Sequence, residues 1–224
     1  MIARALGIVA ALATSALAAP PAGGRVVGKV TVTESDGKPS GPVDVIVYVV
    51  GFDEKPPVPG AITAQIAQQD RKFVPDLVAI TVGEQVGFPN NDPFLHNVFS
   101  QSAARKFDLG SYKKGDPKTK DFQATGVVDV YCNIHAEMAA TILVLPNRRH
   151  VRANADGTFA IDGVPPGKWT VFAYVRRATK PTSTPVTVVA GQDATVSLAL
   201  VRGPEPKHVN KYGEQYKPVT NTYH

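Results

Sequence analysis

From Arg25 onward the chain alternates apolar and polar positions in short runs broken by glycine, proline or aspartate. Val26, Val27, Val30 and Val32 predict a strand over residues 25–33, closed by the turn signal Asp36-Gly37-Lys38-Pro39. A run rich in β-branched residues over 43–50 predicts a second strand, and Pro56-Pro57-Val58-Pro59-Gly60 forces a loop after it. Ile62, Ala64 and Ile66 alternate with polar neighbours, and Leu77 to Val86 reads as two strands around a turn at Val82-Gly83-Glu84-Gln85. Further short strands are predicted around Val98 and over 107–112, 120–124, 126–131 and 140–145. No amphipathic helical period stands out beyond the N-terminal segment. Strands this short and this regularly punctuated predict an all-β fold, a sandwich.

The N-terminus departs from this pattern. Arg4 precedes an apolar run from Ala5 to Leu17, too short to span a bilayer, and Ala16-Leu17-Ala18 has the small-x-small form of a cleavage site. Residues 1–18 are therefore expected to be a signal peptide, and the mature chain to be exported, with the periplasm as its compartment. No other apolar stretch is long enough to cross a membrane. The net charge of +5 is modest and its basic residues are scattered, Lys113, Lys114, Lys118 and Lys120 forming the densest group. With few aromatics among them, this is a solvated surface rather than a nucleic-acid footprint, and it would suit an acidic redox partner.

Cysteine usage narrows the chemistry. Cys132 is the only cysteine, so no intramolecular disulfide can form, and an unpaired thiol in an exported chain calls for a ligating, reactive or intermolecular role. Apart from Met1, Met138 is the only methionine, and it stands six residues after Cys132 with His135 between them. A segment upstream, residues 88–99, adds His96. Taken singly, these are a surface histidine or two, a buried thiol and a core-filling thioether. Taken together, two imidazoles, one thiolate and a weak thioether form the donor set of blue-copper electron-transfer centres, whereas a structural zinc site usually carries more Cys or His. No Ser-His-Asp set, purposeful carboxylate pair or phosphate-binding glycine loop is present, so the chain is read as a non-enzyme.

These residues also carry a family resemblance. Phe73-x-Pro75, then Ile80-Thr81-Val82-Gly83-Glu84-Gln85-Val86-Gly87-Phe88-x-Asn90, then His96-Asn97-Val98, then Tyr131-Cys132-x-x-His135-x-x-Met138 resemble the cupredoxins, in the short-loop form of amicyanin, over residues 25–146. The resemblance implies a Greek-key sandwich holding one type 1 copper ion through His96, Cys132, His135 and, axially, Met138. It implies that Asn97 ties the two ligand-bearing loops together. Glu137, beside Met138, is expected to be solvated rather than to compete for the axial place.

Past Pro146 the composition shifts. Residues 147–202 alternate between Gly/Pro turns, and the run from Asp156-Gly157 through Val164-Pro165-Pro166-Gly167 to Trp169 and Val171 resembles carboxypeptidase regulatory-like domains, a smaller β-sandwich. The initial strands of that family's pattern are not evident here, so the unit is expected to be abbreviated or to complete its core against the first. Trp169 is expected to pack rather than to offer a sugar-stacking platform, and partner docking or carbohydrate contact is the role such a unit would suggest. Residues 203–224 are polar and proline-containing and are expected to form a disordered tail, while His150, His208 and His224 are expected to be surface residues. The functional expectation is an electron carrier between redox proteins. The alternatives are a protein that stores or delivers copper and a metal-free envelope module.

Overall fold

The computed structural model describes residues 23–54 and 60–216; the expected signal peptide, the proline-rich loop at 56–59 and the last eight residues lie outside that range. Among the described residues there is no helix, and every regular element is a strand, as the short alternating runs imply.

Ten strands lie between residues 60 and 146: β1 (Ile62–Gln65), β2 (Ala67–Gln69), β3 (Lys72–Val74), β4 (Leu77–Thr81), β5 (Gln85–Phe88), β6 (His96–Ser100), β7 (Phe107–Tyr112), β8 (Lys118–Asp121), β9 (Gly126–Tyr131) and β10 (Ala139–Leu145). They form a five-stranded sheet in the order β4-β10-β9-β6-β7, a three-stranded sheet β8-β5-β1, and the β2-β3 hairpin. Strands such as β3 and β9 alternate because one face is buried, whereas β6 and β10 are buried along nearly their whole length. Val128, Val130 and Cys132, on and just after the central strand β9, share one core with Val86, Phe88, Phe122, Ile142 and Val144, all at 1% exposure or less.

Seven strands make a second sandwich. Two of them precede the first unit in the chain and are named for their place there, βA (Gly24–Glu34) and βB (Val45–Val50). The remaining five follow it: β11 (His150–Arg152), β12 (Thr158–Val164), β13 (Gly167–Val175), β14 (Thr182–Val188) and β15 (Asp193–Arg202). Their sheets run β12-βA-β15 and β11-βB-β13-β14. βA lies parallel to β15 in unbroken register from Arg25↔Asp193 to Glu34↔Arg202, and βB pairs with β13 from Thr170↔Val50 to Val175↔Val45. This corrects the boundary read from sequence. Residues 24–50 belong with the strands beyond Pro146 and not with the 60–146 unit, which stands as an insertion between βB and β11. The second unit completes its core with these two strands. Val26, Val47 and Val49 are fully buried in its core against Val164 and Val171. Trp169 packs against that core as expected, its indole N–H donating to the Pro165 carbonyl at 2.6 Å and its ring meeting Phe52 edge-on.

A third, small apolar cluster joins the two sandwiches: Ile46 from the second unit with Leu77, Leu143 and Leu145 from the first, flanked by Tyr48, Ala79 and Tyr174. Arg152 donates across the seam to the Leu77 carbonyl at 2.8 Å, and Asn147, just past β10, donates to the Val49 carbonyl of the second unit at 2.9 Å.

Candidate metal centre

His96, Cys132 and Met138 sit at strand ends of the first unit, and His135 lies in the loop between two of those strands. His96 opens β6, and its backbone pairs with Tyr112 at the end of β7. Cys132 follows the last residue of β9, and Met138 precedes the first of β10, so the ligand loop is a hairpin connection. Adjacent strands bring its two ends together: Cys132 N–H donates to the Met138 carbonyl at 3.2 Å, and Met138 N–H to the His135 carbonyl at 3.1 Å. Ile134 N–H points at the Cys132 sulfur, 3.4 Å away.

The structure brings three expected ligands together. The Cys132 sulfur lies 3.9 Å from His96 Nδ1 and 3.8 Å from His135 Nδ1, and the three donor atoms lie within 4.8 Å of one another. Zinc–sulfur and zinc–nitrogen bonds of about 2.3 and 2.0 Å, a guide to first-row ions generally, place sulfur and nitrogen about 3.7 Å apart in a trigonal plane. The residues present therefore fit one ion among them. His96 and Cys132 are fully buried, while His135 is partly exposed. Burial, and next the neighbouring His96, lowers the pKa of His135 below its ordinary value, so its imidazole is neutral and free to ligate near neutral pH. Met138 is fully buried in the same apolar cluster as Cys132, whereas Glu137 beside it faces solvent.

The loop before His96 is tied from within. Asn90 donates to the carbonyls of Phe94 and Tyr112 at 2.9 and 3.0 Å and accepts the Asp92 N–H at 2.9 Å. The Asp92 carboxylate, only 5% exposed, receives His96 Nε2 at 2.7 Å and the N–H groups of Asp70 and Arg71 at 2.8 and 3.1 Å. Sequence reasoning missed Asp92. Its spacing four residues before His96 was the signal available.

Asn97 departs from its expected role. Its side-chain amide donates to Asp108 on β7 at 2.7 Å and makes no bond to the ligand loop. The link between the two ligand-bearing segments runs through the C-terminal segment instead. Asp108 accepts Lys211 Nζ at 2.7 Å, and the Lys211 N–H donates to Asn133 inside the ligand loop at 3.0 Å. Residues 203–216 are thus not the disordered tail expected from composition. Tyr216 donates its hydroxyl to the Cys132 carbonyl at 2.7 Å, His208 reaches the Ala136 carbonyl at 2.8 Å, and the His208 ring stacks on Tyr131 at 3.9 Å. His150, also expected at the surface, is partly buried on β11 opposite Tyr48, and that burial lowers its pKa. His224 lies outside the described residues.

Near His135, Phe94 (38% exposed), Leu95 (51%) and Ile134 (42%) are exposed apolar residues; the Phe94 ring centroid is 5.9 Å from that of His135, and the Arg71 guanidinium lies 5.4 Å over the Phe94 ring. Lys113 and Lys114, both exposed, follow Tyr112, the strand partner of His96.

No family model matches the chain. It is 34% identical over 73 residues to the plastocyanins of Ulva arasakii and Ulva pertusa, covering 29% of this chain and 74% of each plastocyanin. Among solved structures it is similar to a novel purple cupredoxin from Nitrosopumilus maritimus, at 26% identity and a TM-score of 0.33, covering 37% of this chain and 99% of that one. It is also similar to the reduced P94F mutant of amicyanin, at 23% identity and a TM-score of 0.34, over 38% of this chain and 82% of the other. A third is the Cu-containing nitrite reductase NirK from Thermus scotoductus SA-01, at 23% identity and a TM-score of 0.36, over 44% of this chain and 25% of the enzyme. With that likeness spanning most of a plastocyanin, and with His96, Cys132 and His135 drawn together at the end of an all-β sandwich, the chain belongs to the cupredoxin family.

Proposed function

We propose that this chain is an exported type 1 copper protein that carries single electrons between redox partners. The observation that carries the reading is the convergence of the Cys132 sulfur and the Nδ1 atoms of His96 and His135 to spacings that suit one trigonal ion. Met138 would add a weak thioether donor, since it is buried in the same cluster as Cys132. A bound copper ion would supply the one-electron couple, its monovalent state favouring sulfur and its divalent state accepting imidazole and thiolate.

The protein's part is to keep the donors where they are. Three of the four proposed ligands are fully buried on strand ends, and the ligand loop is closed by its own hydrogen bonds, so little would move between redox states. His135 is the ligand nearest the surface, and the exposed apolar residues Phe94, Leu95 and Ile134 near it would be the route of electron exchange. A partner face that is apolar at its centre and acidic at its rim would meet these residues and the neighbouring Lys113 and Lys114. The N-terminal segment supports export, and the second sandwich, with its resemblance to carboxypeptidase regulatory-like domains, would serve as a docking unit.

The test is voltammetry of copper-loaded protein, with reconstitution at one ion per chain. A reversible one-electron wave is expected. Copper that a chelator strips readily and that shows no reversible wave would favour storage or delivery. Failure to bind copper would leave an envelope interaction module.

A further inference from the structure

The buried carboxylate of Asp92 has no place in the ligand set, yet it makes a short polar contact to the side chain of one of the four proposed ligands. Its Oδ2 lies 2.7 Å from His96 Nε2, the ring nitrogen opposite the one facing Cys132. The contact is enclosed, with the His96 side chain fully buried and that of Asp92 7% exposed. The carboxylate is itself pinned. Its other oxygen accepts the Asp70 N–H, and the Arg71 N–H shares Oδ2, both from a turn whose residues have φ near 52° and 55°. Few residues other than glycine adopt that backbone, so the turn is a built feature rather than a passing contact.

We propose that Asp92 is a positioning residue that holds His96 as the Nε2–H tautomer, presents a bare Nδ1 to the metal, and lowers the reduction potential of the site. The inference rests on the copper reading above. An ionised carboxylate can only accept hydrogen bonds, so the proton of a neutral imidazole must sit on Nε2 and the lone pair on Nδ1. Both Asp92 oxygens already accept backbone N–H groups, from Asp70 and Arg71, so the carboxylate meets His96 as an acceptor. A carboxylate on the far nitrogen raises the donor strength of the near one, and partners of this kind are worth 10–100-fold in metal affinity. The gain is larger for the divalent ion, because both the stronger donor and the added negative charge favour the higher positive charge. The ratio of divalent to monovalent affinity therefore rises, and the potential falls.

Asp92→Asn separates charge from shape, because the amide oxygen can still accept the Nε2 proton. The variant is expected to keep the visible band, to lose at least tenfold in copper(II) affinity measured by chelator competition, and to shift to a higher potential, about 59 mV for each tenfold change in the affinity ratio. A band with potential and affinity unchanged from the wild type would overturn the inference and leave the copper reading intact. Absence of the band from the wild type would overturn the copper reading and this inference with it. A second measurement does not need the variant to fold. Long-range proton–nitrogen correlation spectra of the wild-type apoprotein should show His96 protonated at Nε2 and bare at Nδ1, and a proton on Nδ1 alone would overturn the assignment.

Discussion

Met138 is fully buried in the apolar cluster that holds Cys132, so it should have two separable roles, one in packing and one in tuning the site. Replacing it by alanine deletes a side chain with no exposed surface, and such large-to-small changes cost about 2–5 kcal/mol, according to how far the site collapses. The closure of the ligand loop by backbone hydrogen bonds limits that collapse, which places the cost near ~3 kcal/mol. With a urea dependence of about 2 kcal/mol per molar, the midpoint of the apoprotein should fall by roughly 1.5 M. Met138→Leu keeps the volume and should cost under about 1.5 kcal/mol. In the copper-loaded protein both variants should keep the colour and raise the potential, because a weak thioether donor is lost in each. Urea unfolding of the apoproteins and voltammetry of the loaded ones therefore read the two roles apart. If Met138→Leu left spectrum and potential unchanged, Met138 would be packing alone. If Met138→Ala left the urea midpoint unmoved, the buried placement itself would be refuted.

Other outcomes follow from the same geometry. Cys132→Ser should abolish the coloured site while leaving the far-ultraviolet dichroism unchanged, since the two large cores do not hang on one loop thiol. Tyr216→Phe removes the hydroxyl donated to the Cys132 carbonyl; it should cost about 1 kcal/mol and speed amide exchange within residues 132–138. An unchanged exchange rate there would mean that the C-terminal segment does not brace the loop. Asp108 is pushed up by burial but drawn further down by Lys211, Asn97 and the Gly110 N–H, so its folded pKa lies below the ordinary value. A carboxylate lowered on folding stabilises the protein above the ordinary carboxylate range, and that stability is lost as pH falls through the folded value. Lys211→Met should therefore move the acid-unfolding limb to higher pH, with a loss near neutrality of only roughly 0.5 kcal/mol because both side chains are partly exposed. Thermal melts across the acid range check it.

Much of the candidate site was legible in the sequence because its chemistry is local. Cys132, His135 and Met138 share one seven-residue window, and a lone cysteine in a chain expected to be exported has few other uses. The strands around them were legible for the same reason, with 107–112 and 126–131 matching β7 and β9 to the residue. The domain boundary was not legible. βA and βB alternate as any half-buried strand does, and nothing in that period says that Arg25 pairs with Asp193 rather than with a nearer strand. The C-terminal segment was misread for a related reason. Its anchors, His208 on Tyr131, Lys211 on Asp108 and Tyr216 on the Cys132 carbonyl, are single contacts with no periodicity, spread through a composition that otherwise reads as unfolded. Asn97 was given its role by resemblance, and the structure turns its amide to Asp108 because β7 lies alongside β6 while Asn133 is taken by the C-terminal segment.

The most direct test of the central claim is the optical and paramagnetic-resonance spectrum of wild-type protein loaded with one equivalent of copper(II). The account predicts an intense visible band from thiolate-to-copper charge transfer that bleaches on reduction and is absent from Cys132→Ser. Weak absorption alone, with a spectrum indifferent to the loss of Cys132, would contradict it.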